Sequence, residues 1–305
     1  MKQNHLLSIS DLNGEEILSL INTAVELKKT IWTEILKNKS LAILFEKQSA
    51  RTRVSFDLAM NQLGGHAIYL SQAEVGLGTR ESVPDVARVL GRYVDAIAAR
   101  TYSHRTIEIL ADYAGVPVIN ALSDYEHPCQ ALADLQTIYE KKGTLKGITL
   151  AYIGDGNNIA NSLAMASALT GMNFRIASPE GYNLSKNVKN QVDKYTPSSG
   201  AIITLTTSPG EAVTGADVVY TDVWASMGQE DEAEERRKIF AGYQVNGKLM
   251  ALAKGDAIFM HDLPAHRGEE VTDEVIESTQ SVVFDQAENR LHAQKALLVK
   301  LLGNN

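Results

Sequence analysis

The stretch that decides the fold is Ser40-Leu41-Ala42-Ile43-Leu44-Phe45, followed by Glu46-Lys47-Gln48 and then Ser49-Ala50-Arg51-Thr52-Arg53. Six largely apolar residues bounded by polar ones read as a short strand buried on both faces. Residues 51–63 then carry a helical pattern closed by Gly64-Gly65, the residue type that most easily turns a chain out of a helix. Working outward, residues 67–70 form a second strand pattern and residues 81–93 a helical one. A third strand, 96–99, runs into Arg100, and helix 103–113 leads to strand 116–120. Strand and helix alternating in this way predict a parallel sheet covered by helices.

Upstream, residues 11–28 predict a helix with Asp11 as its N-cap. Downstream, residues 127–142 predict a longer helix with Pro128 in its first turn. A second series follows: strand 148–153, the turn Gly154-Asp155-Gly156, helix 158–169, and strands 173–178, 201–206, 218–223, 258–260 and 281–284. Residues 228–238 are dense in charge and read as a solvated loop or helix start. Residues 287–302 read as an amphipathic helix. The expectation is two α/β halves of similar size, with a boundary near 143–147.

A chain of 305 residues suits two domains, each able to bury its own core. Its 29 Lys and Arg against 37 Asp and Glu leave a net charge of −8. That balance argues against a nucleic-acid partner, which needs a basic field to displace counterions. No window approaches twenty uninterrupted apolar residues, which argues against a membrane span. The first residues lack the apolar stretch of a secretory signal, and the single cysteine, Cys129, cannot form an internal disulfide. A reducing, cytoplasmic location is expected.

Ligands of open parallel sheets bind beyond the carboxyl ends of the strands, so those segments carry the chemistry. After the first strand, Ser49, Arg51, Thr52 and Arg53 open a helix, where free N–H groups and the dipole favour an anion. An ordinary capped helix with surface arginines would look the same. Arg100 follows the third strand, on the same edge if strand order is sequential. His127-Pro128-Cys129-Gln130 follows the fourth, with His127 and Gln130 able to reach a phosphate or carbonyl oxygen. Three strand ends offering anion donors weaken the case for coincidence.

Gly154-Asp155-Gly156-Asn157-Asn158 follows a strand but lacks the third glycine of a dinucleotide fingerprint. Its amides suit a carboxylate instead. Asp222 and Asp262 also follow strands and could grip an ammonium, although turns favour the same residue types. No cluster has metal-ligand spacing, and neither a nucleophile elbow nor a phosphate-binding Gly-Lys loop is present.

These pieces together resemble the aspartate/ornithine carbamoyltransferase family. The match rests on Phe45-Glu46-Lys47 with Ser49-Ala50-Arg51-Thr52-Arg53, Val89-Leu90-Gly91-Arg92 and His127-Pro128-Cys129-Gln130-Ala131-Leu132-Ala133-Asp134. It continues through Gly154-Asp155-Gly156-Asn157-Asn158, Asp222-Val223-Trp224-Ala225-Ser226-Met227-Gly228-Gln229-Glu230 and Leu263-Pro264-Ala265-His266-Arg267-Gly268. The Ser-Met-Gly segment is the mark of the ornithine-type branch. The resemblance implies two doubly wound parallel-sheet α/β domains joined by two interdomain helices. They would be a carbamoyl phosphate domain, 1–143, and an ornithine domain, 144–286, with a C-terminal helix, 287–305, returning to the first.

It implies a homotrimer that uses neither cofactor nor metal. It also implies carbamoyl transfer from carbamoyl phosphate to L-ornithine, within arginine metabolism. Carbamoyl phosphate would be held by Ser49, Ala50, Arg51, Thr52, Arg100, His127, Gln130, Asp262, Leu263 and Arg290, with Arg53 also expected nearby. Ornithine would be held by Asn158, Asp222, Ser226 and Met227, and Arg100, His127 and Asp262 would act in catalysis.

Two positions depart from the family pattern. Asp262 stands where relatives carry a cysteine beside the reacting amine. Gly76 stands where many carry a glutamine that reaches a neighbouring subunit's carbamoyl phosphate, leaving Ser71, Gln72 or Arg80 as substitutes. The alternatives are a carbamoyltransferase for another amine, such as putrescine, and a non-catalytic binding protein.

Overall fold

A computed structural model describes residues 4–225 and 230–303. The chain forms two compact units, one of Met1–Gln136 with Glu288–Asn305 and the other of Thr137–Ala287. Unit 1 contains α1 (Gly14–Lys29), β1 (Ser40–Phe45), α2 (Ala50–Gln62), β2 (His66–Ser71), α3 (Gln72–Val75), α4 (Val83–Leu90), β3 (Ala96–Arg100), α5 (His104–Ala114) and β4 (Val118–Leu122). The division between units falls inside α6 (Pro128–Lys142). Unit 2 continues with β5 (Thr149–Ile153), α7 (Asn158–Thr170), β6 (Asn173–Ala177), α8 (Lys186–Ser199), β7 (Ile203–Thr206), α9 (Pro209–Val213) and β8 (Val218–Thr221). It closes with α10 (Ala233–Phe240), α11 (Gly247–Met250), β9 (Ile258–Met260) and α12 (Asp273–Ile276). Helix α13 (Val283–Leu302) begins in unit 2 and ends in unit 1.

Both sheets are wholly parallel, in the orders β2-β1-β3-β4 and β7-β6-β5-β8-β9. Residues 41–45 of β1 are all buried, as their apolar run requires of a central strand. The order is not sequential, because the chain leaves β1 for an edge strand and returns to β3 on the other side. It nevertheless sets β1 beside β3, with Phe45 opposite Arg100. The same reversal occurs between β5 and β8. Each unit thus has one switch point, where the loops leaving adjacent strands diverge and open a crevice.

Three expectations change at the ends of elements. Asn13, not Asp11, caps α1, accepting from Glu16 N–H, while Asp11 accepts the backbone N–H groups of Leu7 and Ser8. Residues 281–284 are not a strand. Ser281 makes one isolated bridge to Phe259, and Val283 already starts α13. An apolar run this short serves a buried strand and a buried helix start equally well. The helix expected over 81–93 is the shorter α4, capped by the Ser82 hydroxyl.

Candidate active site

In unit 1 the switch point collects hydroxyls and cations. Ser49 caps α2, its Oγ accepting from Thr52 N–H at 3.4 Å, and it donates to Thr52 Oγ1 at 3.0 Å. Arg290, on α13, donates through Nη2 to the same Thr52 oxygen at 2.6 Å. Arg100 ends β3, and its carbonyl accepts from Glu46 N–H at 2.9 Å, which ties the β1 and β3 loops together. His127 is buried and held well below the usual histidine range, first by desolvation and then by the positive charges of Arg290 and Arg100. Its ring is therefore neutral, a hydrogen-bonding group rather than a charge. Cys129 is driven by burial up to about 12, with Arg290 opposing, so it remains a thiol.

Gln130 is placed as expected but with the opposite polarity. Its Nε2 donates to the buried Asp134 carboxylate at 2.8 Å, which leaves Oε1 as a buried acceptor. It presents an oxygen for an N–H group rather than a donor for phosphate. Arg51 and Ala50 are exposed at the start of α2. Arg53 does not join the group: its guanidinium lies 4.0 Å from the Tyr69 ring centroid, a cation–π contact.

The Gly76 loop is closed on itself. Gly76 has φ +63, and a Cβ there would come within 2.6 Å of Arg80 Cβ, so the turn accommodates glycine alone. Of the three possible stand-ins for the missing glutamine, Ser71 Oγ donates to Glu74, Gln72 Nε2 to Leu77 O and Arg80 Nη2 to Glu74 O.

Unit 2 has the opposite electrostatic character. Beyond β5, Asn157 caps α7, its Oδ1 accepting from Ile159 and Ala160 N–H. With that oxygen committed, its Nδ2 faces across the switch point and donates to Asp222 Oδ2 at 2.7 Å. Asn158 opens α7 and is half-buried. Asp222 is buried and its carboxyl is raised well above the ordinary range, first by desolvation and next by the charge of Asp262. Donor atoms of Asp222, His261 and Asp262 lie within 4.8 Å of one another, close enough to share one bound cation.

His261 is fully buried. Burial opposes its protonation, whereas the neighbouring carboxylates of Asp262, Glu270 and Asp222 favour it. The backbone also opposes it. Leu263 N–H donates to Nδ1 at 2.9 Å, and a proton on that nitrogen would set two donors face to face. The geometry decides for a neutral ring that donates through Nε2 to Glu270 at 3.1 Å. Leu263 itself has φ +58, a conformation that a leucine occupies only at a cost of about 1–3 kcal/mol. Ser226 and Met227 lie outside the described residues.

A sequence model of the carbamoyl-P binding domain of aspartate/ornithine carbamoyltransferases matches residues 4–140. One of the Asp/Orn binding domain matches residues 146–301. The chain belongs to the aspartate/ornithine carbamoyltransferase family. Among family members, it is 55% identical to an ornithine carbamoyltransferase of Pyrococcus abyssi, covering 99% of this chain and 97% of that one. It is 56% identical to that of Carboxydothermus hydrogenoformans, covering 97% of each. The solved structure of the ornithine carbamoyltransferase of Pyrococcus furiosus superposes with a TM-score of 0.96 at 54% identity, covering 99% of this chain and 97% of that chain. The carbamoyltransferase fold expected from the sequence, two parallel-sheet α/β units, is therefore the fold observed.

Asn157, expected with Asn158 as an amide pair for a carboxylate, spends its side chain on the α7 cap and on Asp222 instead. Other residues of this family member gave no sequence signal. Arg236 was hidden within a run of charge, although it is buried against Asp155. Asp134 could have been found from its spacing to Gln130, four residues on along one helix face.

Proposed function

We propose that this protein transfers the carbamoyl group of carbamoyl phosphate to the side-chain amine of L-ornithine, giving L-citrulline and phosphate. One observation carries the reading: unit 1, matched by the carbamoyl-P binding model, gathers Arg100, Arg290 and hydroxyls around a neutral His127, whereas unit 2, matched by the Asp/Orn binding model, gathers Asp222 and Asp262. The first set suits a dianion and the second a cationic amine.

Ser49, Ala50 through its N–H, Arg51, Thr52 and Arg290 hold the phosphate, and neutralise the charge that grows there as it departs. Arg100 and His127 donate to the carbonyl oxygen while it becomes tetrahedral. Gln130 Oε1 accepts an N–H of the carbamoyl group, to which the family resemblance also assigns Leu263. Asn158, Ser226 and Met227 hold the α-amino acid end of ornithine, and Asp222 and Asp262 receive its side-chain ammonium. Asp262 takes one proton, the free amine attacks the carbonyl carbon, and the C–O bond to phosphate breaks. The second nitrogen proton leaves on the phosphate. Carbamoyl phosphate is already activated, so no step calls on a cofactor.

The relatives from Pyrococcus furiosus and Campylobacter jejuni are named anabolic, which favours the citrulline-forming direction in arginine biosynthesis. The lone buried thiol suits a cytoplasmic protein, and among the described residues no helix is long and apolar enough to cross a membrane. The family resemblance supports a homotrimer of about 100 kDa, three times 33.2 kDa, measurable by light scattering.

The test is a colorimetric ureido-product assay with ornithine, putrescine and N-acetylornithine as acceptors. Carbamoyl phosphate-dependent citrulline from ornithine is the expected result. Preference for putrescine or the acylated amine would replace the acceptor, and no product from any would leave a binding protein.

A further inference from the structure

We infer that Arg236 is a positioning residue for the amine acceptor, fastening together the two loops that flank the unit 2 switch point. The inference rests on the ornithine reading above and adds a residue that the motifs did not indicate.

Arg236 lies on α10, a helix whose other charged residues face solvent, yet its own side chain is only 8% exposed. Its Nη1 donates to Asp155 Oδ2 at 2.8 Å and to the Trp224 carbonyl at 3.0 Å. Asp155 belongs to the loop that leaves β5 and leads to Asn158. Trp224 belongs to the loop that leaves β8, two residues beyond Asp222. One guanidinium nitrogen therefore bridges the two loops. Nε is held by Glu232 at 3.0 Å, and the guanidinium lies 5.2 Å from the Tyr182 ring centroid. One turn further along α10, Phe240 stacks on Trp224 at 6.1 Å and meets Tyr182 edge-on at 5.0 Å. Residues 236 and 240 thus hold Tyr182 and Trp224 from one helix face, Arg236 through the Tyr182 ring and the Trp224 carbonyl and Phe240 through both rings.

A buried guanidinium is costly unless its charge and donors are matched, so this contact has two faces. It persists only while Asp155 and the Trp224 carbonyl are both in place, and it opposes any drift of one loop from the other. The Asn157–Asp222 hydrogen bond fastens the same loops closer to their ends. Together they set the separation of Asn158 and Asp222, the residues assigned to the two ends of ornithine. The groups assigned to carbamoyl phosphate in unit 1 take no part.

Steady-state kinetics of the full-length enzyme test this with R236Q, R236K, D155N and E232Q. The expectation for R236Q is an ornithine KM raised about ten- to a hundredfold, from misplacement alone, with the carbamoyl phosphate KM unchanged. R236K keeps the charge but not the fork, so it recovers part of the loss. E232Q alters a solvent-exposed partner and keeps an acceptor for Nε, so its ornithine KM rises far less than that of R236Q. Equal rises in both KM values, a fall in kcat with neither KM changed, or wild-type behaviour of R236Q would overturn the inference. Should R236Q fail to fold, D155N is read by the same criteria, and a wild-type ornithine KM in it would overturn the inference equally. A wild-type enzyme that makes no citrulline refutes the functional reading instead, so the two failures are distinguishable.

Discussion

Replacing Gly156 by alanine should damage ornithine binding and stability together, leaving carbamoyl phosphate binding intact. Gly156 N–H donates to the Tyr182 carbonyl at 2.7 Å, which draws the backbone of residues 182–184 against the loop after β5. A Cβ on Gly156 would lie 2.5 Å from the Asn183 carbonyl carbon and 2.7 Å from both Asn183 O and Leu184 N. Ordinary contact begins at 3.4 Å, so one backbone must retreat by about 0.9 Å, the difference from 2.5 Å. No flexible side chain is available to absorb the shift. Overpacking of this kind costs about 1–3 kcal/mol. At roughly 2–4 °C per kcal/mol, Tm should fall by roughly 2–12 °C. The residue displaced is the neighbour of Asn157 and Asn158, and a shift of about 1 Å at a binding group can cost on the order of a hundredfold. Circular dichroism melting and substrate-varied kinetics on G156A read both effects. An unchanged Tm with an unchanged ornithine KM would refute the steric reasoning, and equal losses for both substrates would refute its assignment to unit 2.

Asp262→Cys should move the optimum of kcat/KM for ornithine to lower pH. The Asp262 charge stabilises the unreactive ammonium, and a neutral thiol removes it; superimposable pH profiles would contradict this. Acid should destabilise the protein through His127. Folding holds its pKa below the unfolded value, so its contribution is present above about pH 6.5 and is lost below it at about 1.4 kcal/mol per pH unit. Denaturant unfolding should therefore show a shallower acid slope for His127→Gln, and parallel slopes would remove His127 from the account. Lys295, fully buried, donates to Leu27 O, Ile31 O and Gln62 Oε1. Lys295→Met takes the ammonium from one buried and two part-buried acceptors and should cost roughly 1–3 kcal/mol in urea titration, whereas an unchanged midpoint would show that water replaces the ammonium.

The parts legible in the sequence were those where one local signal has one physical reading. Residues 40–45 could hardly be anything but a buried strand, and Ser49 after it could hardly avoid capping a helix. Burial across several elements was not legible. Arg236 sits among Glu234, Glu235, Arg237 and Lys238, and only the approach of Asp155 and Trp224 separates it from its solvated neighbours. Gln130 was found, but its polarity was not, because Asp134 fixes which end of the amide is free. Val282 and Val283 looked like strand residues for the same reason that they begin a buried helix: both environments select β-branched apolar side chains.

The divided composition of unit 1 has a consequence for how the chain is made. Thr137–Ala287 is one uninterrupted segment, whereas unit 1 needs Glu288–Asn305 to be complete. Leu297, Leu298 and Lys295, all fully buried, reach it only with the last turns of α13. On a ribosome, the half that begins first must therefore wait for the half that begins second. Until α13 has emerged, the strands around β1 are without their closing helix, and Leu27, Ile31 and Gln62 are without the ammonium that joins them.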